Sequence, residues 1–213
     1  MYAYPAYLQA FAKDKQRIVI LGNEEVVTPF FSILLHVMHY WKRSFDYVTL
    51  LPDDVIAPAV QLSDAPLIFL QGDITPFSAL DPRSVASIYQ PHVVVMMALP
   101  HSTHQASTET HIAALQQLAD GIPKAGKLIY NKDIAELRKI AAKDRIDVEC
   151  VPFQAPTYKT DKRTGVITTS QGEQLSPALT TPQSLEALAC VGAVLRGCAI
   201  PPAQCYEAIQ IYE

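Results

Sequence analysis

The sequence predicts an α/β protein: a mainly parallel β-sheet flanked by helices, with a small antiparallel hairpin near residues 156–175. Three observations carry this expectation. Short continuous apolar runs recur at Ile18–Leu21, Leu67–Leu70 and Val93–Met97, the mark of strands covered on both faces. Segments of helical period stand between them, and such alternation calls for parallel strands joined by right-handed crossovers. Past Pro156 the pattern changes: Val166-Ile167-Thr168 alternates, and Gly165 and Gly172 supply turns, so a hairpin or meander is expected there.

In chain order, Pro5–Phe11 reads as a short lead-in helix with Tyr7, Leu8 and Phe11 on one side, and Lys13–Arg17 is a charged step before the first strand. Phe31, Leu34, Leu35 and Met38 fall at i, i+3, i+4 and i+7, giving the next helix an apolar face, and Thr28-Pro29 suits its cap and first position. Phe45–Leu50 reads as a second strand, and Pro52–Ser63 as irregular with Pro52 and Pro58 as breakers. Asp81-Pro82 should open a short helix to about Ile88. Ser107 or Thr108 caps a helix carrying Ile112, Leu115 and Leu118. Lys127–Tyr130 is a strand, Asn131 caps a helix over Ile134–Ala142, and Val148–Val151 is a further strand. Thr181-Pro182 caps a helix with Leu185, Leu188 and Ala189 on one face, Gly197 stops it, and Pro201-Pro202 starts a last helix through Tyr206 and Ile209. With no repeat and no low-complexity linker, residues 1–213 are expected to form a single domain.

The chain has 213 residues, 49% hydrophobic and 18% charged, so it can bury a full core and is not a disordered segment. A net charge of -4 gives no reason to expect nucleic-acid binding. No apolar run approaches the ~18 residues of a membrane span, and the start M-Y-A-Y-P-A-Y lacks the basic and apolar regions of a signal peptide. The cytoplasm is the expected compartment, with no membrane partner. Cys150, Cys190, Cys198 and Cys205 have no C-x-x-C spacing and read as small buried residues in a reducing environment.

Strand, tight loop and helix over Arg17–Tyr40 is where many α/β proteins hold a phosphate, because the free N–H groups of a helix's first turn attract anions. A working loop needs G-x-x-x-x-G-K-[ST] or a close variant. The segment present is Gly22-Asn23-Glu24-Glu25-Val26-Val27-Thr28, with one glycine and no lysine. A carboxylate about 4 Å from a phosphate repels it by roughly 4 kcal/mol at an effective dielectric near 20, so Glu24 and Glu25 should weaken ATP binding strongly. Two arrangements are open: a glutamate folded onto the helix N-terminus in place of the anion, or both glutamates facing water.

From Tyr4-Pro5 to about Tyr212 the chain resembles the central ATP-binding domain of the Mur ligase family, nearest the UDP-N-acetylmuramate and murein-peptide ligases. The resemblance rests on K-D-K-Q-R-I-V-I at Lys13–Ile20, F-D-Y at Phe45–Tyr47, L-S-D-A-P-L-I at Leu62–Ile68 and Gly72-Asp73. P-H-V-V-V at Pro91–Val95, L-I-Y at Leu128–Tyr130 and Y-E-A-I-Q at Tyr206–Gln210 extend it. These are mainly scaffold residues. The resemblance implies a family chemistry in which ATP phosphorylates a carboxylate and an amine attacks the acyl phosphate, with lysine and magnesium stabilising the transferred group.

Each motif that supplies those groups is altered. Set against the family's G-x-x-G-K-T-T, the second glycine is Glu25, the lysine Val26 and the first threonine Val27, while Thr28 is kept. The family's magnesium-serving glutamate before the G-D pair is Gln71; Asp73 is retained. An aspartate–histidine pair near the second metal is matched by Ser102-Thr103, or else by Thr103-His104. The family's G-x-H-N-x-x-N, which helps hold the base, is matched by Thr181–Ala187, with Gln183, Ser184 and Ala187 at the signature positions.

Other candidates carry ordinary readings beside functional ones. His101, His104 and His111 are surface histidines or, less simply, metal ligands. His36 and His39 border an apolar helix face, where a structural role outweighs a ligand role. Asp53-Asp54 and Asp73 are solvated or capping carboxylates before they are magnesium ligands, and Lys159–Arg163 is an exposed hairpin tip.

The expectation is a degenerate, non-catalytic Mur ligase central domain acting as a scaffold or binding module, with no catalytic residue, no metal and no cofactor. A protein partner or a cell-wall precursor would be its ligand. The alternative is the Mg-ATP-binding domain of an amide ligase. The resemblance covers only the central domain, so the family's UDP-substrate and C-terminal domains are expected to be missing.

Overall fold

A computed structural model describes residues 3–51, 55–76, 83–99, 108–161, 167–170, 172–179 and 181–212. The chain divides into two compact units, Met1–Asn23 with Ser44–Pro152, and Glu24–Arg43 with Phe153–Glu213.

The first unit is built on a seven-stranded sheet. Its strands are β1 (Gln16–Leu21), β2 (Asp46–Val48), β3 (Val60–Gln61), β4 (Leu67–Gln71), β5 (Val93–Met96), β6 (Lys127–Asn131) and β7 (Glu149–Phe153), in the order β3-β2-β4-β1-β5-β6-β7. The pairs β2–β4, β4–β1, β1–β5 and β5–β6 are parallel, and β3 is an antiparallel edge strand. The parallel strands are apolar without alternation because both faces are covered: Ile18 to Leu21, Ile68 to Leu70 and Val93 to Met96 are all buried. One face packs on α1 (Ala3–Phe11), α3 (Val85–Ile88), α4 (Thr108–Asp120) and α5 (Ala135–Ala141). There Val19, Ile68, Val94 and Leu128 share a cluster with Leu8, Ala86, Leu115, Leu118 and Leu137. Strand order reverses between β1 and β5, and in open α/β sheets ligands bind outside the carboxyl ends of strands at such a point.

Two polar details fix this sheet. The Lys15–Asp46 ion pair is buried, at 2.9 Å with Asp46 fully covered. Lys15 Nζ also donates to the Ser63 and Ala65 carbonyls at 2.7 and 2.6 Å, and Ser63 Oγ donates to Asp46 at 2.6 Å, so the charges are compensated where β1 and β2 begin. Gly72 follows β4 where a Cβ would stand 2.6 Å from Val19 Cγ1 and 2.7 Å from Leu21 Cδ2, so only glycine fits.

The second unit holds α2 (Glu24–Tyr40), α6 (Pro182–Arg196), α7 (Pro202–Ile209) and a three-stranded antiparallel sheet. That sheet is β8 (Tyr158–Thr160), β9 (Ile167–Thr169) and β10 (Gln174–Leu175), in the region where an antiparallel excursion was expected. The α2 helix packs on α6 and α7. The α2–α7 side is tied by His36 Nε2 to the Ala208 carbonyl at 2.9 Å and by Trp41 Nε1 donating to the Gln204 carbonyl at 3.0 Å.

Several local expectations are corrected. The helix α2 does not begin at Thr28-Pro29 but four residues earlier, at Glu24, and Pro29 lies inside it. The buried stripe extends back through Phe30 to Val27 and Val26, and this burial outweighs the hydrogen bond that Pro29 cannot donate. Asn131 does not cap α5. It ends β6, buried, with its side chain donating to the Met97 carbonyl at 3.3 Å and accepting from the Asp133 N–H at 2.9 Å; Ile134 takes the cap position without a side-chain bond. The segment 52–63, expected to be irregular, contributes β3. Tyr7 of the lead-in helix is exposed, while Leu8 is buried. Asp81-Pro82 and Ser107 lie outside the described residues, and α3 is capped by Ser84. Thr181 caps α6 as expected, accepting from the Ser184 N–H at 3.0 Å, and Gly197 ends it in a right-handed conformation.

Candidate functional site

Within the second unit, a groove of about 660 Å³ opens between the first turns of α2 and α6. The α2 side supplies Glu24, Glu25, Thr28, Pro29 and Ser32; the α6 side supplies Thr181, Gln183 and Ser184, and Tyr212 closes one end. Glu25, Thr28, Pro29 and Ser32 follow at i, i+3, i+4 and i+7, so the helix period that buries Val26, Val27, Phe30 and Phe31 turns this polar stripe into the groove. Pro182 at the head of α6 and the Thr181 cap start that helix where Gln183 and Ser184 reach the same space.

The chemistry of the lining is hydroxyls, one amide and two carboxylates. Among the described residues no lysine, arginine or histidine borders it. Glu24 and Glu25 are exposed, and among the described residues neither carboxylate has a hydrogen bond or ion pair. The arrangement in which a glutamate folds back into the helix N-terminus is therefore not formed. Both carboxylates stand in the first turn, where the helix dipole favours negative charge. The hydroxyls are partly engaged: Ser32 with the Tyr212 hydroxyl at 2.7 Å, and Thr181 with Ser184 at 2.7 Å. The Tyr212 ring is held edge-on to His36, with ring centroids 5.2 Å apart.

The groove thus joins Glu24, Glu25 and Thr28 of the first strand–helix turn to Gln183 and Ser184 at the head of α6, the two stretches the resemblance matches to a phosphate loop and a base motif. Other positions of those motifs stay out of it. Val26, at the lysine position, is 5% exposed; Val27 and Ala187 are fully buried. Gly22 and Asn23 form the two-residue connector after β1 and belong to the first unit, as do Gln71 and Asp73. Those last two side chains are engaged within their own unit. Gln71 Oε1 accepts the Leu50 N–H at 2.7 Å, and the Asp73 carboxylate accepts the Thr75 N–H and hydroxyl, each at 2.8 Å.

Ser102, Thr103 and His104, with His101 and Asp53-Asp54, lie outside the described residues, as do Lys162 and Arg163 of the hairpin tip. His111 is buried on α4, its Nδ1 without a hydrogen-bond partner among the described residues, and is not a surface histidine. His36 is a structural link to α7, and His39 is exposed. Among the described residues no group of three His, Cys, Asp or Glu side chains is placed to hold a metal, and no helix is long and apolar enough to cross a membrane. Sequence reasoning missed Ser32 and Tyr212. The polar stripe on α2 could have revealed Ser32; nothing local announces Tyr212, which arrives from the far end of the chain.

No protein-family model matches the chain, and no curated protein does. Solved structures do. A UDP-N-acetylmuramate:L-alanyl-γ-D-glutamyl-meso-diaminopimelate ligase from Neisseria meningitides superposes with a TM-score of 0.79 at 15% identity, over 98% of this chain and 70% of that one. A murein peptide ligase from Psychrobacter arcticus gives 0.68 at 13%, over 96% of this chain and 49% of that one. A MurF ligase from Thermotoga maritima, solved with ADP, gives 0.65 at 12%, over 92% of this chain and 49% of that one. The chain has a Mur ligase-like fold and spans about half the length of the latter two proteins.

Proposed function

We propose that this chain, with its Mur ligase-like fold, is a non-catalytic binding module or scaffold. The observation that carries the reading is the groove lining: two exposed glutamates, hydroxyls and an amide, no basic side chain among the described residues, and a buried valine at the position matched to a phosphate-loop lysine. Phosphoryl transfer depends on cationic groups around the moving phosphate. Two carboxylates at the same helix end oppose a triphosphate by several kcal/mol even after solvent relief, on the order of 4 kcal/mol each at 4 Å before it. The same lining favours neutral hydroxyl-bearing or positively charged groups. A cell-wall precursor is the first ligand to try, met through its hydroxyl- and amine-bearing sugar or peptide part and not through its phosphates, because similar solved proteins are ligases of UDP-N-acetylmuramate and murein peptide. A protein partner is the other. The competing reading, an ATP-dependent amide ligase, draws on the ADP-bound MurF likeness and on the retained Asp73.

A thermal-shift series with millimolar Mg-ATP, ADP and UDP-N-acetylmuramate separates the two. A ligand at ~100 times its dissociation constant adds about 2.7 kcal/mol, roughly a 5–10 °C rise for a chain of this size. No rise with ATP is expected. A rise of that order reversed by EDTA overturns the non-catalytic reading.

A further inference from the structure

A second cavity, of about 490 Å³, lies within the first unit at the amino ends of β1 and β5. Arg17, Arg83, Ser87, His92 and Gln117 are among its walls. Arg17 is only 9% exposed, and its guanidinium is permanently charged. Among the described residues no carboxylate bonds to it directly; the Asp14 carboxylate acts on it through space. Its Nε donates to the Gln90 carbonyl at 2.9 Å, and its Nη1 to the carbonyls of Ala12 and Lys13 at 2.8 Å, with Lys15 at 3.3 Å. These carbonyls, at the ends of α1 and just past α3, account for two of the three guanidinium nitrogens.

The third nitrogen, Nη2, has among the described residues only the His92 ring as partner: Nε2 at 3.3 Å. The other ring nitrogen, Nδ1, accepts Arg17's own backbone N–H at 3.1 Å. Both neighbours of the imidazole are therefore donors, and a neutral imidazole has one lone pair to offer. A second proton on the ring would remove that lone pair too. Burial, and after it the charge of Arg17, hold the His92 pKa below its ordinary value, so the ring stays neutral. With the shorter contact satisfied, the proton sits on Nε2 and faces Nη2, donor against donor. Nη2 then keeps N–H groups that no acceptor among the described residues takes, at the wall of the cavity, an arrangement that is costly for a charged group.

We propose that this cavity is an oxyanion site, taking a phosphate group, free or carried by a small molecule, between Arg17 Nη2 and Arg83 with Ser87 and Gln117 at its sides. An oxyanion supplies the acceptor that Nη2 lacks, in direct contact with a guanidinium that the Asp14 carboxylate reaches only through space. The space is that of a small-molecule pocket rather than of a single ion. The site is in a different unit from the acidic groove and does not depend on the function proposed for that groove.

The test is ¹⁵N NMR of the whole chain, titrated with inorganic phosphate and separately with glycerol phosphate, ionic strength held constant with chloride. Before addition, the His92 nitrogens should report an Nε2–H tautomer. Phosphate should then shift the His92 ring and Arg17 signals saturably. Arg83→Gln should weaken binding at least five-fold, and Gln117→Glu, which places a carboxylate at the wall, should weaken it further. Both positions are exposed, so these variants do not test folding. Tighter binding of glycerol phosphate marks a carried phosphate; equal or weaker binding marks the free ion. An Nδ1–H tautomer, shifts no larger than chloride produces, or undiminished binding in Gln117→Glu each overturn the proposal.

Discussion

At the scale of single residues, stability is concentrated where charge is buried or space is absent. Asp46 is fully covered and meets Lys15 and Ser63, so Asp46→Ala leaves an ammonium without its counter-ion. A loss of about 3–5 kcal/mol is expected, read as a lower urea midpoint with an unchanged slope. Gly72→Ala must push Val19 and Leu21 aside in a two-sided core and should cost about 1–3 kcal/mol. Asp120 makes a pH prediction. Burial pushes its carboxyl up, but hydrogen bonds and charge from Lys143 and Arg145 outweigh this and hold it below its ordinary value. Its contribution is present above the unfolded-state value near pH 4 and is lost as pH falls through the lower folded value. Asp120→Asn should therefore melt lower than the parent near neutrality, with the gap closing at acid pH; a gap constant across pH would contradict this. Thiols follow burial too: the Cys198 thiol is pushed up to about 11 and that of Cys205 to about 12, so iodoacetamide should spare both in the native protein.

At the scale of elements, α2 decides what the groove can be. Its buried stripe draws the helix start back to Glu24, which places two carboxylates where a glycine-rich loop would wrap a phosphate. The opposite wall depends on the α6 cap. Thr181→Ala removes the acceptor for the Ser184 N–H and should cost about 1 kcal/mol, while Thr181→Ser should be nearly neutral, as thermal unfolding would read. Glu24→Gln with Glu25→Gln removes the repulsion but supplies no cation, since the next residue, Val26, is apolar and buried. That double variant should still show no Mg-ATP shift; a shift of several degrees would mean that the carboxylates alone excluded the nucleotide.

At the scale of the whole molecule, the chain carries a Mur ligase-like fold at 12–15% identity to the compared structures. The parallel strands, the antiparallel sheet and the α6 cap were all legible because each is written in local periodicity, β-branched runs or a Thr-Pro pair. Element starts were less so: Pro29 and Asn131 misled because burial of Val26 and Val27, and of Asn131 itself, overrode local preference.

The sequence by itself determined the layer architecture and the absence of lysine from the first strand–helix turn, since period and residue identity need no partner to be read. Only the tertiary structure decided that Glu24 and Glu25 share a groove with Gln183, Ser184 and Tyr212, and that one histidine ring lies between two donors of Arg17. Those pairings join residues more than 70 positions apart in the chain. They follow from how helices pack and strands order, which local sequence pattern constrains only through the whole fold.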